Sequence, residues 1–215
     1  MRIYAVADLH AKQTFIDRIE LNIKHYHPDV LVIAGDLTNY FAKNNIISFI
    51  DNLDLPILFI LGNSDFKRIR TILETSNNNA VCLSERPFIY EKMNFYGLNG
   101  TIPLPFASRI CFQEKKALKK LEGCGTPDSV FVIHTPPKGF LDKVANKCSA
   151  GSSNLADFLQ TCQPLLLLCG HIHEQSGFEM LSNTMVVNCA MNKHQSGTII
   201  DIKDKQVEKI ISINN

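Results

Sequence analysis

Residues 1–36 read MRIYAVADLHAKQTFIDRIELNIKHYHPDVLVIAGD, and the fold follows from them. A short apolar run at 3–7 breaks at Asp8-Leu9-His10. In residues 14–27, Phe15, Ile19, Ile23 and Tyr26 then recur at helical spacing. A second apolar run, 30–34, ends at Gly35-Asp36. Runs of strand length that are apolar at successive positions predict strands covered on both faces. Strand, helix and strand in this order predict a parallel unit with polar residues at the strand ends.

The pattern extends along the chain. Residues 57–61 lead to Gly62-Asn63, residues 130–133 to His134, and residues 165–169 to Gly170-His171-Ile172-His173. Helical spacing marks 43–52, 66–76, 113–121 and 152–162. Closer strand pairs come later: 88–90 with 95–98, then 177–181, 185–188, 198–202 and 207–211. The polar residues between the last two predict a hairpin. Residues 77–79 read as a polar turn, and no repeat or low-complexity tract interrupts the chain. The expectation is one α/β domain spanning 1–215, with two packed mixed β-sheets and helices outside.

A chain of 215 residues that is 45% hydrophobic suffices for one sizeable core. Its 22 basic and 21 acidic residues leave a net charge of +1, which gives no electrostatic case for nucleic acid or a membrane surface. The first ten residues do not read as a secretory signal, because Asp8 and His10 interrupt the apolar run. The run at 165–169 is of strand length, too short to span a bilayer. The seven cysteines are scattered without a C-x-x-C pair, and are expected to be reduced thiols in a cytoplasmic protein.

Each of the five apolar runs thus ends in a potential metal ligand. In an open α/β sheet the crevice beyond the carboxyl ends of the strands is where ligands gather. In Asp8-x-His10 and His171-x-His173 the alternating spacing lets one extended segment contribute twice. A glycine before Asp36, Asn63 and His171 lets the backbone turn sharply off the strand. Imidazole with carboxylate suits two divalent ions, Mn first, with Fe, Zn, Ni or Co as alternatives. Two such ions, the carboxylates of Asp8 and Asp36 and a bridging hydroxide leave a residual positive charge, which favours a phosphate ester and its transition state.

The ordered set Asp8-Leu9-His10, Gly35-Asp36, Gly62-Asn63-Ser64-Asp65, His134 and Gly170-His171-Ile172-His173 resembles the calcineurin-like metallophosphoesterases. The stretch from His134 to Gly139, with Gly151-Ser152, is similar to the family's small prokaryotic branch. The resemblance implies a four-layer αββα sandwich. It implies one metal on Asp8, His10 and His173, the other on Asn63, His134 and His171, and Asp36 as the bridge. It implies hydrolysis of phosphodiester, or phosphomonoester, bonds by attack of the bridging hydroxide. Asp36, Asn63 and Asp65 then take catalytic roles, while Asn63 and Ser64 face a small phosphate-ester substrate.

Ser64 stands where the family has a histidine that serves the leaving group. Serine is a poor acid at neutral pH, which predicts a preference for good leaving groups. Asp65, which would orient that histidine, is expected to be left without a partner. The alternative to an enzyme is a catalytically weak or inactive metal-binding scaffold. A nuclease is disfavoured by the neutral charge. Taken singly, Asp36 would read as a turn residue and His134 as a strand end. His25 and His27 read as the close of the first helix, and His194 as a solvated loop residue that would at most stand in for the missing histidine. Asn39, Tyr40, Lys67, Arg68 and Arg70 are weaker candidates for substrate contact.

Overall fold

The structure is a computed structural model that describes residues 1–40, 44–103, 107–145 and 147–215. In chain order the elements are β1 (Arg2–Val6), α1 (Gln13–Tyr26), β2 (Val30–Ala34), α2 (Asn44–Asp51), β3 (Ile57–Ile60), α3 (Arg68–Ser76), β4 (Ala80–Cys82), β5 (Phe88–Tyr90), β6 (Met93–Leu98), α4 (Glu114–Lys119), β7 (Ser129–Ile133), β8 (Lys143–Val144), β9 (Cys148–Ser149), α5 (Ser153–Cys162), β10 (Leu166–Cys169), β11 (Gly177–Leu181), β12 (Thr184–Asn188), β13 (Gln195–Lys203) and β14 (Gln206–Asn214). Lys43, the expected start of the second helix, lies outside the described residues.

Two six-stranded sheets result, with orders β14-β13-β1-β2-β3-β4 and β11-β12-β10-β7-β6-β5. The consecutive apolar runs occupy their centres: β1 pairs with β2, and β2 with β3, in parallel. In the second sheet β6, β7, β10 and β12 are parallel neighbours. Alternate residues of one strand face opposite layers. Tyr4 and Val6 pack outward with Leu31, Ile33, Phe59 and the helical Phe15, Ile19 and Ile46. Ile3 and Ala5 pack inward against Val130, Val132, Leu166 and Leu168 of the other sheet. Beyond that sheet, Phe131, Ile133 and Leu167 meet Leu118 of α4 and Leu155 and Leu159 of α5. The layers are therefore helix, sheet, sheet, helix.

Local chemistry sets the ends of these elements. Ser152 caps α5, its hydroxyl accepting from Leu155 N. α1 closes on His27, in the left-handed region, whose N–H donates to Ile23 O. Asp204 and Lys205, at φ of 50° and 62°, form the turn between β13 and β14. Two positive φ values in succession suit the twist of a two-residue hairpin.

No helix among the described residues is long and apolar enough to cross a membrane. All seven cysteines are free, with Cys82, Cys169 and Cys189 buried.

Candidate metal centre

The parallel strands of both sheets deliver their carboxyl ends to one place. Asp8 and His10 follow β1, Asp36 follows β2, Asn63 follows β3, His134 follows β7, and His171 and His173 follow β10. His173 Nε2 lies 3.0 Å from Asp8 Oδ1. His10 Nε2 and His134 Nε2 lie 4.0 and 3.8 Å from the same oxygen. Asp36 Oδ2 sits 3.8 Å from His10 Nε2 and 3.7 Å from His134 Nε2. The imidazoles pair by position, His10 with His173 at 5.5 Å between centroids and His134 with His171 at 5.4 Å. Asp36 Oδ2 spans the two pairs. Asp8 Oδ1 does so too, so the carboxylates share the middle of the cluster more evenly than an assignment of Asp8 to one side implies.

The backbone at these positions is held away from its ordinary range. Asp8, His10, Asp36 and His171 have φ of 61°, 48°, 52° and 72°. Non-glycine residues there cost on the order of 1–3 kcal/mol each and persist where the surroundings over-determine them. Backbone bonds supply that constraint: Asp8 N donates to Gly35 O at 3.0 Å, and His10 N to Asp36 O at 2.9 Å. Gly35, at φ 97°, is required twice. A Cβ there would lie 2.6 Å from His134 Nδ1, and the conformation itself favours glycine.

Hydrogen bonds aim the ligand atoms. His134 Nδ1 donates to Ala34 O at 2.7 Å, which leaves the Nε2 lone pair directed at the carboxylates. Asp8 Oδ2 accepts from His171 N at 2.9 Å, leaving Oδ1 toward the imidazoles. Asp36 accepts twice from Ser64, from N at 2.8 Å and from Oγ at 2.9 Å. Burial alone would push the Asp8 carboxyl up, but His134, His173 and the His171 N–H together hold it at about 2. Burial and neighbouring His134 lower His171 to about 4. The Asp8 carboxylate, 3.0 Å away, raises His173.

Three buried side-chain atoms among the described residues lack a hydrogen-bond partner: Asp8 Oδ1, Asn63 Oδ1 and His134 Nε2. Asp8 Oδ1 and His134 Nε2 lie 3.8 Å apart, Asn63 is linked to Asp36 through the Ser64 hydroxyl, and all three atoms are electron-pair donors. Leaving a buried polar atom unpaired costs about 1–3 kcal/mol, so such a group of orphans fits a cation. The sets Asp8, His10, His173 and Asp8, Asp36, His134 each bring their donor atoms close enough to hold a metal ion.

A model of the calcineurin-like phosphoesterase family matches residues 1–175, most of the chain. The chain belongs to this family. Uncharacterized protein MJ1162 of Methanocaldococcus jannaschii is 25% identical over 197 residues, covering 87% of each chain. The crystal structure of TT1561 of Thermus thermophilus is similar with a TM-score of 0.74 at 18% identity, over 99% of this chain and 98% of that one. A structure described as a novel archaeal phosphodiesterase reaches 0.60 at 14% identity, over 99% of this chain and 100% of that one. These two likenesses bear on the fold.

In this calcineurin-like phosphoesterase, two residues of the Gly62–Asp65 loop do not sit as expected. Ser64 is 5% exposed and its hydroxyl is directed at Asp36. Asp65 is not left without a partner. It accepts from Gly62 N at 3.0 Å, Leu37 N at 3.2 Å, and Thr38 N and Oγ1 at 2.8 Å each. The carboxylate that would orient a histidine instead ties the Asp36 loop to the Asn63 loop.

Of the weaker candidates, Tyr40 packs edge-on against Phe66 at 6.1 Å. Arg68 lies over the Phe66 ring, and Arg70 pairs with Glu85 and Glu74. His25 meets Tyr26 edge-on, with centroids 4.6 Å apart. Lys67 and Arg70 border a cavity that also touches Gly62 and Asp65. Sequence reasoning missed Ser108, a buried residue whose Oγ lies 3.2 Å from His171 Nε2. Such an outer contact orients a ligand imidazole, and no local motif announces it.

Proposed function

We propose that this chain is a two-metal phosphodiesterase with a preference for good leaving groups. The observation that carries the reading is that the three buried side-chain donors without a partner among the described residues, Asp8 Oδ1, Asn63 Oδ1 and His134 Nε2, all belong to residues that follow the central strands. Asp8, His10 and His173 would hold one divalent ion and Asn63, His134 and His171 the other, with Asp36 between them. When bound, two such ions supply Lewis acidity and lower the pKa of water. Manganese is the first candidate for the pair.

The chain's own residues do the rest. Asp8 keeps its negative charge in a buried site, and His134 is held by Ala34 O with Nε2 inward. Asn63 Nδ2 donates to Ser64 Oγ at 3.3 Å, within reach of the same cluster, and is placed to turn toward a phosphoryl oxygen. No Lys or Arg pairs with Asp8 or Asp36 among the described residues. A phosphodiester carries one charge fewer than a monoester dianion, so it makes less demand for such cations. Ser64, turned onto Asp36, offers no proton to a departing alkoxide. That same feature supports the second reading, a catalytically weak or inactive metal-binding scaffold.

The deciding experiment is metal analysis of the purified protein together with hydrolysis of bis(p-nitrophenyl) phosphate in added Mn. The expected result is about two metals per chain and metal-dependent release of nitrophenolate. Metal binding without hydrolysis favours the scaffold, and absence of both removes the proposal.

A further inference from the structure

His173 is the most exposed imidazole of the cluster's ion-pair set, with its side chain 43% accessible. It opens onto a cavity of about 400 Å3 whose wall includes Glu174, Ser176, Asn192, Lys193 and His194. That volume falls within the range of small-molecule sites. Whatever part of a substrate extends past Asp8, His10 and His173 enters this space.

The wall is a pinned turn. Asn192 Oδ1 accepts from His194 N at 2.7 Å and from Gln195 N at 3.0 Å. Asn192 Nδ2 donates to His173 O at 2.9 Å, fastening the turn to a candidate ligand. Arg18 Nη1 donates to Asn192 O at 3.1 Å. At the far end, Asn215 donates to His194 O and Lys193 O, each at 2.9 Å. The backbone is thus held from four elements.

The side chains it displays are not. Lys193 and His194 are exposed, and neither makes a side-chain hydrogen bond or ion pair among the described residues. Surface loops rarely spend so many hydrogen bonds to present two idle donors. A rigid turn of this kind lowers the ordering cost of binding. Charge gives the sign of the ligand. Lys12 and Arg18 both lie over Phe15, and Lys12 acts electrostatically on His173. On the wall itself stand Lys193 and Glu174, while Lys12 and Arg18 adjoin it at His173 and Asn192. In a chain of net charge +1 this is a concentrated positive edge.

We infer that the cavity beside His173 takes a second anionic group of the substrate, a phosphate remote from the scissile one, recognised by Lys193 and His194. The substrate class is then a phosphodiester that carries a further phosphomonoester, such as a phosphorylated nucleoside ester. The inference rests on the phosphoesterase reading.

The test compares the p-nitrophenyl ester of thymidine 5′-phosphate with the same ester bearing a 3′-phosphate. The wild-type protein in Mn is expected to show a KM about tenfold lower for the phosphorylated ester, equal to about 1.4 kcal/mol. In a Lys193→Ala, His194→Gln double variant the ratio of the two KM values should fall below twofold. Both replaced side chains are exposed, so folding is checked simply by the melting temperature. A wild-type ratio near one, or a variant that keeps the preference, overturns the inference while leaving hydrolysis intact. Calorimetry without turnover separates the two readings. Metal-loaded protein should bind thymidine 3′,5′-bisphosphate about tenfold tighter than thymidine 5′-phosphate, dependent on Lys193 and His194. That binding with no hydrolysis of either ester would sink the enzyme and keep the subsite. Equal affinities would sink the subsite.

Discussion

Replacing Asp65 by Asn tests whether this carboxylate is a clamp or a catalytic group. Its Oδ1 faces Thr38 N and Oγ1, and its Oδ2 faces Gly62 N and Leu37 N. Asn keeps one oxygen, which turned toward Thr38 preserves two bonds. Its amide then meets Gly62 N–H and Leu37 N–H, donor against donor. The one lost acceptor oxygen leaves two unpaired N–H groups, at about 1–3 kcal/mol each. An offset comes from the carboxylate itself. Burial foremost, and repulsion from Asp36, raise the Asp65 pKa despite its hydrogen bonds, so the charge is costly to keep and Asn removes that cost. The net loss should be about 2–3 kcal/mol, a drop of roughly 4–12 °C in melting temperature for a chain of this size.

Thermal unfolding of the metal-free Asp65→Asn protein reads this directly. Metal titration of its hydrolytic rate then separates the roles. Loss of a clamp that positions Asp36 and Asn63 weakens metal affinity, so excess Mn should return kcat to within about threefold of wild type. A melting temperature within 1 °C of wild type, or a loss of kcat that saturating metal does not repair, would refute the clamp.

Three other outcomes follow from the same geometry. A Cβ at Gly62 would lie 2.1 Å from Asp36 Oδ1 and 2.6 Å from Asp36 N, so Gly62→Ala should lower metal affinity at least tenfold; wild-type metal content after dialysis would contradict this. With Ser64 committed to Asp36, hydrolysis should slow steeply as leaving-group pKa rises, and Ser64→His should raise rates on alkyl esters; a flat dependence counts against the reasoning. In the metal-free protein, NMR titration should place His171 near 4 and His173 above its ordinary 6.5. Because His171 is lowered, the unfolded chain binds its proton first, so its contribution to stability is full above about 6.5 and lost as pH falls toward 4. The raised His173 acts in the opposite sense, and coincident titration of the two rings would overturn both assignments.

The strands that hold the site were legible because they are buried on both faces. Residues 30–34 of the reading coincide with β2, and 165–169 differ from β10 by one residue. Shorter or exposed elements left less trace. β4 is three residues long, β8 and β9 two each, and β14 runs to Asn214 as a half-exposed edge whose polar residues dilute its alternation. The ligand positions were legible for a related reason: each sits next to its strand, so local order places it. The hydrogen bonds of Asp65 and Ser64 were not legible because their partners lie 26–28 residues away and depend on side-chain direction. Ser108 and His171 are 63 residues apart, beyond any motif.

The positive φ at Asp8, His10, Asp36 and His171 adds a step that the motif pattern does not contain. These residues are aimed by the sheets and by backbone bonds between Asp8 and Gly35 and between His10 and Asp36, all made by the protein itself. Their strain, on the order of 1–3 kcal/mol apiece, is offset by the core between and around the sheets. The same logic explains why glycine precedes Asp36 and lies between Leu61 and Asn63. At Gly35 a side chain would strike His134, and at Gly62 it would strike Asp36, so both glycines are fixed by the closeness of the ligands to one another. Ser64 then occupies the space beside Asp36 with a group small enough to be buried and polar enough to hold the carboxylate. Aiming the Asp36 carboxylate and donating a proton to a leaving group are separate tasks, and the Ser64 hydroxyl is engaged in the first.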